Sequence, residues 1–150
     1  MPATIDTDTA QRLRATLGRL ARLLRPTEAG IAAGLTPTRV AVLLNIVRNG
    51  PVRLALVGEQ EGLNPTLLSR TVGHLVADGL VVRSADEQDR RSAWVEPTRE
   101  GGALAERIRT QRTAAVQEAL AGLAAADRRA LEAALPALEH LADGLVEHGR

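Results

Sequence analysis

Thr66, Ser69, Arg70 and Gly73 recur at i, i+3, i+4 and i+7, so a helix through them aligns all four on one face. That face is small and polar and carries one guanidinium, which suits approach to a DNA major groove. Arg can bond guanine O6 and N7 together, hydroxyls can meet bases or phosphates, and Gly permits close backbone approach. Asn64-Pro65 opens the same helix with a polar cap followed by proline, and a helix start favours a nearby phosphate. His74 lies on this helix too, placed to touch a phosphate. The alternative is an ordinary surface helix with a solvated polar face. A second set of candidates follows at Asp86-Glu87-Gln88-Asp89-Arg90-Arg91. Arg90 or Arg91 at the tip of a hairpin can enter a narrow A·T-rich minor groove, where negative potential is concentrated. The adjacent acids, Asp89 foremost, would hold the guanidinium through paired bonds. The alternative there is a self-neutralising turn.

The elements that must position these groups are legible from caps and periodicity. Residues 9–25 carry Leu13, Leu17, Leu20 and Leu24 as a helical stripe, with Asp8 or Thr7 as cap and Pro26 as stop. Thr36-Pro37 starts a helix with Val40, Leu43, Leu44 and Val47 inward, ending at Asn49-Gly50-Pro51. A short helix is expected over about 54–61, with Leu56 and Val57 inward and Gly62 closing it. The candidate helix then runs from Pro65 to Asp78, with Leu68, Val72 and Leu75 buried and Gly79 as stop. The pair has helix-turn-helix spacing. Residues 80–82 and 93–95 read as strands of a hairpin, with 83–92 as a charged tip. Thr98 can cap a helix over 99–122 that buries Leu104, Ile108, Ala115, Val116 and Leu120. A last helix from Asp127 carries Leu131, Leu135, Leu138, Leu141 and Leu145, with Pro136 expected to kink it.

Composition agrees with this order. The chain has 150 residues, the length of one domain, and its 19 basic residues are all Arg. Ala, Leu, Arg and Glu favour helix, while Phe and Tyr are absent and Trp94 stands alone, so an all-β fold is excluded. The fold class expected is mainly α with a small β-hairpin wing. Cysteine is absent, which removes disulfides, thiolate metal sites and thiol redox switching. The polar start over residues 1–10 reads as no signal peptide, and no apolar run approaches membrane-spanning length, so a soluble cytoplasmic protein is expected. Net charge is +1, distributed as +4, −2 and −1 over successive fifties (seven Arg and three acids; six and eight; six and seven). Binding to nucleic acid would therefore depend on particular arginines rather than on bulk charge.

In this setting residues 36–103 resemble the winged helix-turn-helix of the MarR family of bacterial transcriptional regulators. The matching stretches are residues 63–70, Leu75 with Gly79-Leu80-Val81 and Arg83, and Asp86 with Asp89-Arg90-Arg91-Ser92. The family's Thr and Gly after the wing stand as Thr98 and Gly101, but Pro97 replaces the Leu before the Thr. Proline cannot donate to a ladder, so the second wing strand is expected to end early. The resemblance implies a single unit over 1–150, with residues 36–98 as the winged part and 8–25 and 99–148 as dimerisation helices. It further implies a homodimer on a pseudo-palindromic duplex DNA site, acting as a repressor. A small lipophilic acid as inducer also follows from it; Arg14, Arg19 or Arg22 could meet its carboxylate. The leucine stripes support the dimer independently, because one small winged domain cannot cover both.

No catalytic constellation, phosphate loop or cofactor signature is present, so an enzyme is disfavoured. Glu139-His140 and Glu147-His148 could collect a metal across a dimer, but exposed helix ends are the plainer reading, and no metal site is assigned. The competing function is a dimeric helical protein–protein adaptor that keeps the winged fold without reading DNA, motivated by the −2 balance of the middle third.

Overall fold

A computed structural model describes residues 6–148, with the side chains of 146–148 left out. The chain start within residues 1–5 and the His148 side chain lie outside the described residues. Ten elements follow in order: α1 (Thr7–Leu24), α2 (Glu28–Ala32), α3 (Pro37–Asn49), β1 (Val52–Arg53), α4 (Leu54–Glu61), α5 (Pro65–Ala77), β2 (Val81–Ala85), β3 (Ala93–Pro97), α6 (Arg99–Ala121) and α7 (Ala125–His148). The chain divides into two compact units, Met1–Arg112 and Thr113–Arg150. No helix among the described residues is long and apolar enough to cross a membrane.

The local start and stop signals act as their chemistry dictates. Thr36 Oγ1 accepts from the Arg39 N–H at 3.3 Å and Asn64 Oδ1 from the Leu67 N–H at 2.9 Å, with Pro37 and Pro65 at the first helical positions. Gly62 closes α4 in the left-handed region, a conformation other residues rarely adopt. Two features near the start of the chain differ from expectation. Asp6 rather than Thr7 or Asp8 caps α1, so the helix begins at Thr7. Thr27 caps the additional helix α2 by accepting the Gly30 N–H at 3.1 Å.

In the first unit α3, α4, α5, the sheet and the start of α6 enclose one core, centred on Leu43, Ile46, Val57, Val72, Leu75, Val95 and Ile108. Val40 and Leu43 of α3 are buried as expected, but Leu44 and Val47 are only half-buried, and Asn45 and Ile46 take the inner positions. Burial of Asn45 is tolerated because it is fully paired. Its Nδ2 donates to Gln60 Oε1 at 3.0 Å and Glu61 Oε1 at 2.8 Å, and its Oδ1 accepts from Asn49 at 3.1 Å. This cluster ties α3 to the end of α4. Leu56 points outward, 43% exposed, because Val57 and Gly58 already occupy the inner side of this short helix.

The sheet has three strands rather than two, in the order β1-β3-β2, both pairs antiparallel. β2 extends to Ala85, shortening the charged tip. β3 does not end early: Pro97 pairs with Val81 as its last residue. β1 reaches only Val95 and Trp94, so no strand lies on the other side of Pro97 to need its missing donor. Thr98 then accepts from the Gly101 N–H at 3.0 Å and donates to the Gly79 carbonyl at 2.6 Å, fastening α6 to the end of α5.

Leu104 and Ile108 of α6 are buried. Farther along that helix, Ala115 and Val116 are exposed and Leu120 half-buried, against expectation. In the second unit α7 continues through Pro136 and starts at Ala125, ahead of Asp127. Arg128 donates to the carbonyls of Leu123 at 2.8 Å and Ala121 at 3.3 Å, satisfying groups left open where α6 ends.

Gly101 is required by packing: a Cβ there would overlap the Leu80 carbonyl oxygen, whereas one at Gly102 meets nothing. Gly101→Ala should lower stability by roughly 1–3 kcal/mol. Gly102→Ala should raise it by up to about 1 kcal/mol, as alanine replaces glycine within a helix. Urea midpoints of the two variants, compared at equal m-value, check both signs.

Candidate nucleic-acid interface

Helix α5 is two-faced. Leu68, Thr71, Val72 and Leu75 are buried against the core, while Thr66, Ser69, Arg70, Gly73 and His74 are exposed. Nothing lies within reach of a Cβ at Gly73, so the outer surface of the helix is open at that point. Asn64 and Pro65 are exposed at its start, with the Asn64 side-chain oxygen spent on the cap. An open concavity of about 550 Å³ lies against Asn64, Pro65, Thr66, Leu67 and Arg70. Each polar residue and glycine singled out at this helix is thus exposed, and Asn64, Pro65, Thr66 and Arg70 share one concavity.

The wing tip is built around two aspartates with different duties. Asp89 does not hold a guanidinium. Its Oδ1 accepts from the Arg91 N–H at 3.0 Å and its Oδ2 from the Ser92 hydroxyl at 2.9 Å, so it fixes the backbone of the turn. The expected carboxylate–arginine pair is replaced because these local donors are presented within three residues of Asp89. The Arg90 and Arg91 side chains are exposed, and neither guanidinium is in a hydrogen bond or ion pair among the described residues.

Asp86 is the buried member, and sequence reasoning gave it no role beyond the resemblance. Its Oδ1 accepts from the N–H groups of Gln88 at 2.9 Å and Asp89 at 3.3 Å. Its Oδ2 accepts from Trp94 Nε1 at 3.0 Å and pairs with Arg53 Nη2 at 3.3 Å. Arg53 faces Trp94 across the β1–β3 ladder, with its guanidinium 5.2 Å from the ring centroid. The backbone N–H of Gln88 and the indole N–H are the main reasons the Asp86 carboxyl is held below its ordinary value, with smaller help from the Asp89 N–H and Arg53. A further link was also missed: Arg83 Nη1 of β2 donates to Ser69 Oγ at 3.4 Å, joining wing to helix α5. The available signal for Arg53 was its position before a helix, where a short polar cap is ordinarily found.

His74 and His140 stand apart from any group of three or more His, Cys, Asp and Glu residues that could hold a metal among the described residues.

The sequence matches the model of the MarR family over residues 33–92. Among solved structures, that of MarR is similar with TM-score 0.75 and 23% identity, over 90% of this chain and 98% of the other. The PcaV transcriptional regulator of Streptomyces coelicolor, solved with its natural ligand, gives TM-score 0.56 and 26% identity over 94% of both chains. FabT of Streptococcus pneumoniae, solved in complex with DNA, gives TM-score 0.68 and 17% identity over 91% of this chain and 99% of the other. No curated protein matches.

The lowered Asp86 carboxyl fixes the sign of a pH effect. Its ordinary value is 3.8, so its contribution to the wing is present above that pH and is lost as pH falls through the depressed folded value. Emission of Trp94, the sole tryptophan, should therefore stay constant down to about that pH and shift only below it. Asp86→Asn should give the acid-type spectrum already at neutral pH and abolish this step.

Proposed function

We infer that this chain, a member of the MarR family through its residues 33–92, is a DNA-binding transcriptional regulator that acts as a homodimeric repressor on a pseudo-palindromic operator. The observation that carries the reading is the two-faced α5: its apolar side is buried, and Thr66, Ser69, Arg70 and Gly73 form a clear outer edge. In this reading α5 enters the major groove, with Arg70 bonding a guanine and Ser69 and Thr66 meeting bases or phosphates. Asn64, Pro65 and His74 lie against the sugar–phosphate backbone. The wing, its turn set by Asp89, brings Arg90 and Arg91 to the adjacent minor groove.

Residues 36–98 are the reading head and residues 8–25 and 99–148 the dimerisation helices. Supporting this, α1 buries none of its residues within the single chain, and Leu20 and Leu23 are exposed. Leu131, Leu135, Leu141 and Leu145 of α7 are exposed as well. Apolar stripes of this kind on two helices call for cover from a second copy. Two-fold pairing would set the two α5 helices roughly 34 Å apart, one turn of duplex. Repression would follow from occlusion of a promoter in the cytoplasm, with release by a small lipophilic acid; the ligand-bound PcaV structure supports the idea of an inducer.

Selection of bound sequences from random duplex DNA should return a two-half-site consensus, and light scattering should give twice the mass of 15.9 kDa. Arg70→Ala should weaken operator binding by roughly 1–3 kcal/mol and relax preference at one position per half-site. Weak binding with no preferred sequence would instead favour a helical adaptor, and unchanged preference in Arg70→Ala would remove that residue from base reading.

A further inference from the structure

A groove of about 720 Å³ lies between α4, the start of α5 and the wing. Arg53, Arg83 and Arg91 all line it, from β1, β2 and the wing tip respectively, and Glu59 is the acidic residue on its wall.

Arg53 is the telling member. It occupies the cap position of α4 yet makes no cap bond there. Its side chain is instead drawn across the sheet onto Trp94 and Asp86, while 54% of it stays exposed. A guanidinium has five N–H donors, and one ion pair and one ring contact leave donors for the groove it lines. Stacking and pairing also fix its rotamer in advance, which removes an ordering cost from any later contact. Arg83 is similarly held by its bond to Ser69, and the Arg91 guanidinium has no bond among the described residues. Arginines converging on one concavity, two of them already oriented, match a tetrahedral oxyanion better than they match one another.

We propose that this groove seats a backbone phosphate of duplex DNA, with Arg53 and Arg83 as its donors. Trp94 and Asp86 are positioning residues that act through Arg53. The assignment rests on the DNA-binding reading above and adds contacts that read no sequence.

The test is a set of anisotropy titrations of the wild-type protein, Arg53→Gln and Arg83→Gln across a salt series. Each uses two labelled duplexes, one carrying the selected operator and one scrambled. Wild type should show a steep linear fall of log K with log salt. Each variant should reduce that slope by about one unit and lose affinity by the same factor on both duplexes. Variants that lose affinity at the wild-type slope, or whose loss is confined to the operator, would overturn the phosphate seat while leaving the DNA reading standing. A wild-type protein with no salt-dependent binding to either duplex would overturn both. If Arg53→Gln fails to fold by circular dichroism, Arg83→Gln decides, since Arg83 is exposed and its one described bond is to an exposed serine.

Discussion

The Asp86 carboxylate is the contact on which the geometry of this surface depends. A β-hairpin standing out from a small core has little apolar area of its own to hold it. Here the two carboxylate oxygens collect two backbone N–H groups of the tip, the indole of β3 and the guanidinium of β1. Because β1 leads directly into α4, this side chain joins the wing to the helix-turn-helix at α4, as Arg83 on Ser69 does at α5. Removing the acid would strand the indole N–H and release Arg53 together, so the four bonds form a unit rather than a sum.

This arrangement also resolves the charge balance that made the middle of the chain look unpromising for a polyanion. Acids outnumber arginines by two over residues 51–100. Asp86 and Asp89 direct their oxygens at donors within the wing, including three backbone N–H groups between them. Glu61 is occupied by Asn45. By contrast Arg70, Arg90 and Arg91 are exposed and make no ion pair among the described residues. Net charge counts all of these equally, whereas an approaching anion meets mainly the outward-facing set.

What was legible in the sequence was whatever is decided within a few residues. Thr36-Pro37 and Asn64-Pro65 state two helix starts because cap and proline act on adjacent N–H groups, and Gly62 and Gly79 state the stops. The outward set on α5 was readable because periodicity assigns faces once the core side is known. The illegible features are long-range or very short. Two residues of β1 are too few to show alternation, and the contact of Arg53 with Trp94 exists only because the β1–β3 register sets them opposite. Asn45 sits among apolar residues where a stripe count favours Leu44, and only its partners on α4 make its burial acceptable. Asp89 departs from its expected role for a related reason: a carboxylate in a tight turn meets its nearest backbone N–H groups before a flexible guanidinium.

The polar contacts that fasten this surface run on into the helices behind it. α5 is held to the wing by Arg83 on Ser69, and α4 to the wing by Arg53 on Asp86, while Asn45 binds α3 to α4. The buried donors and acceptors along that path are paired; the Nε of Arg112, outside it, is the buried side-chain nitrogen without a partner among the described residues. Arg112 donates instead through Nη2 to the carbonyl of Arg25, just beyond the end of α1, and burial together with the nearby Arg25 charge lowers its affinity for a proton. The unpartnered buried polar atom of the first unit thus lies where Arg112 of α6 meets the end of α1, away from the wing and α5, whose contacts are local and paired.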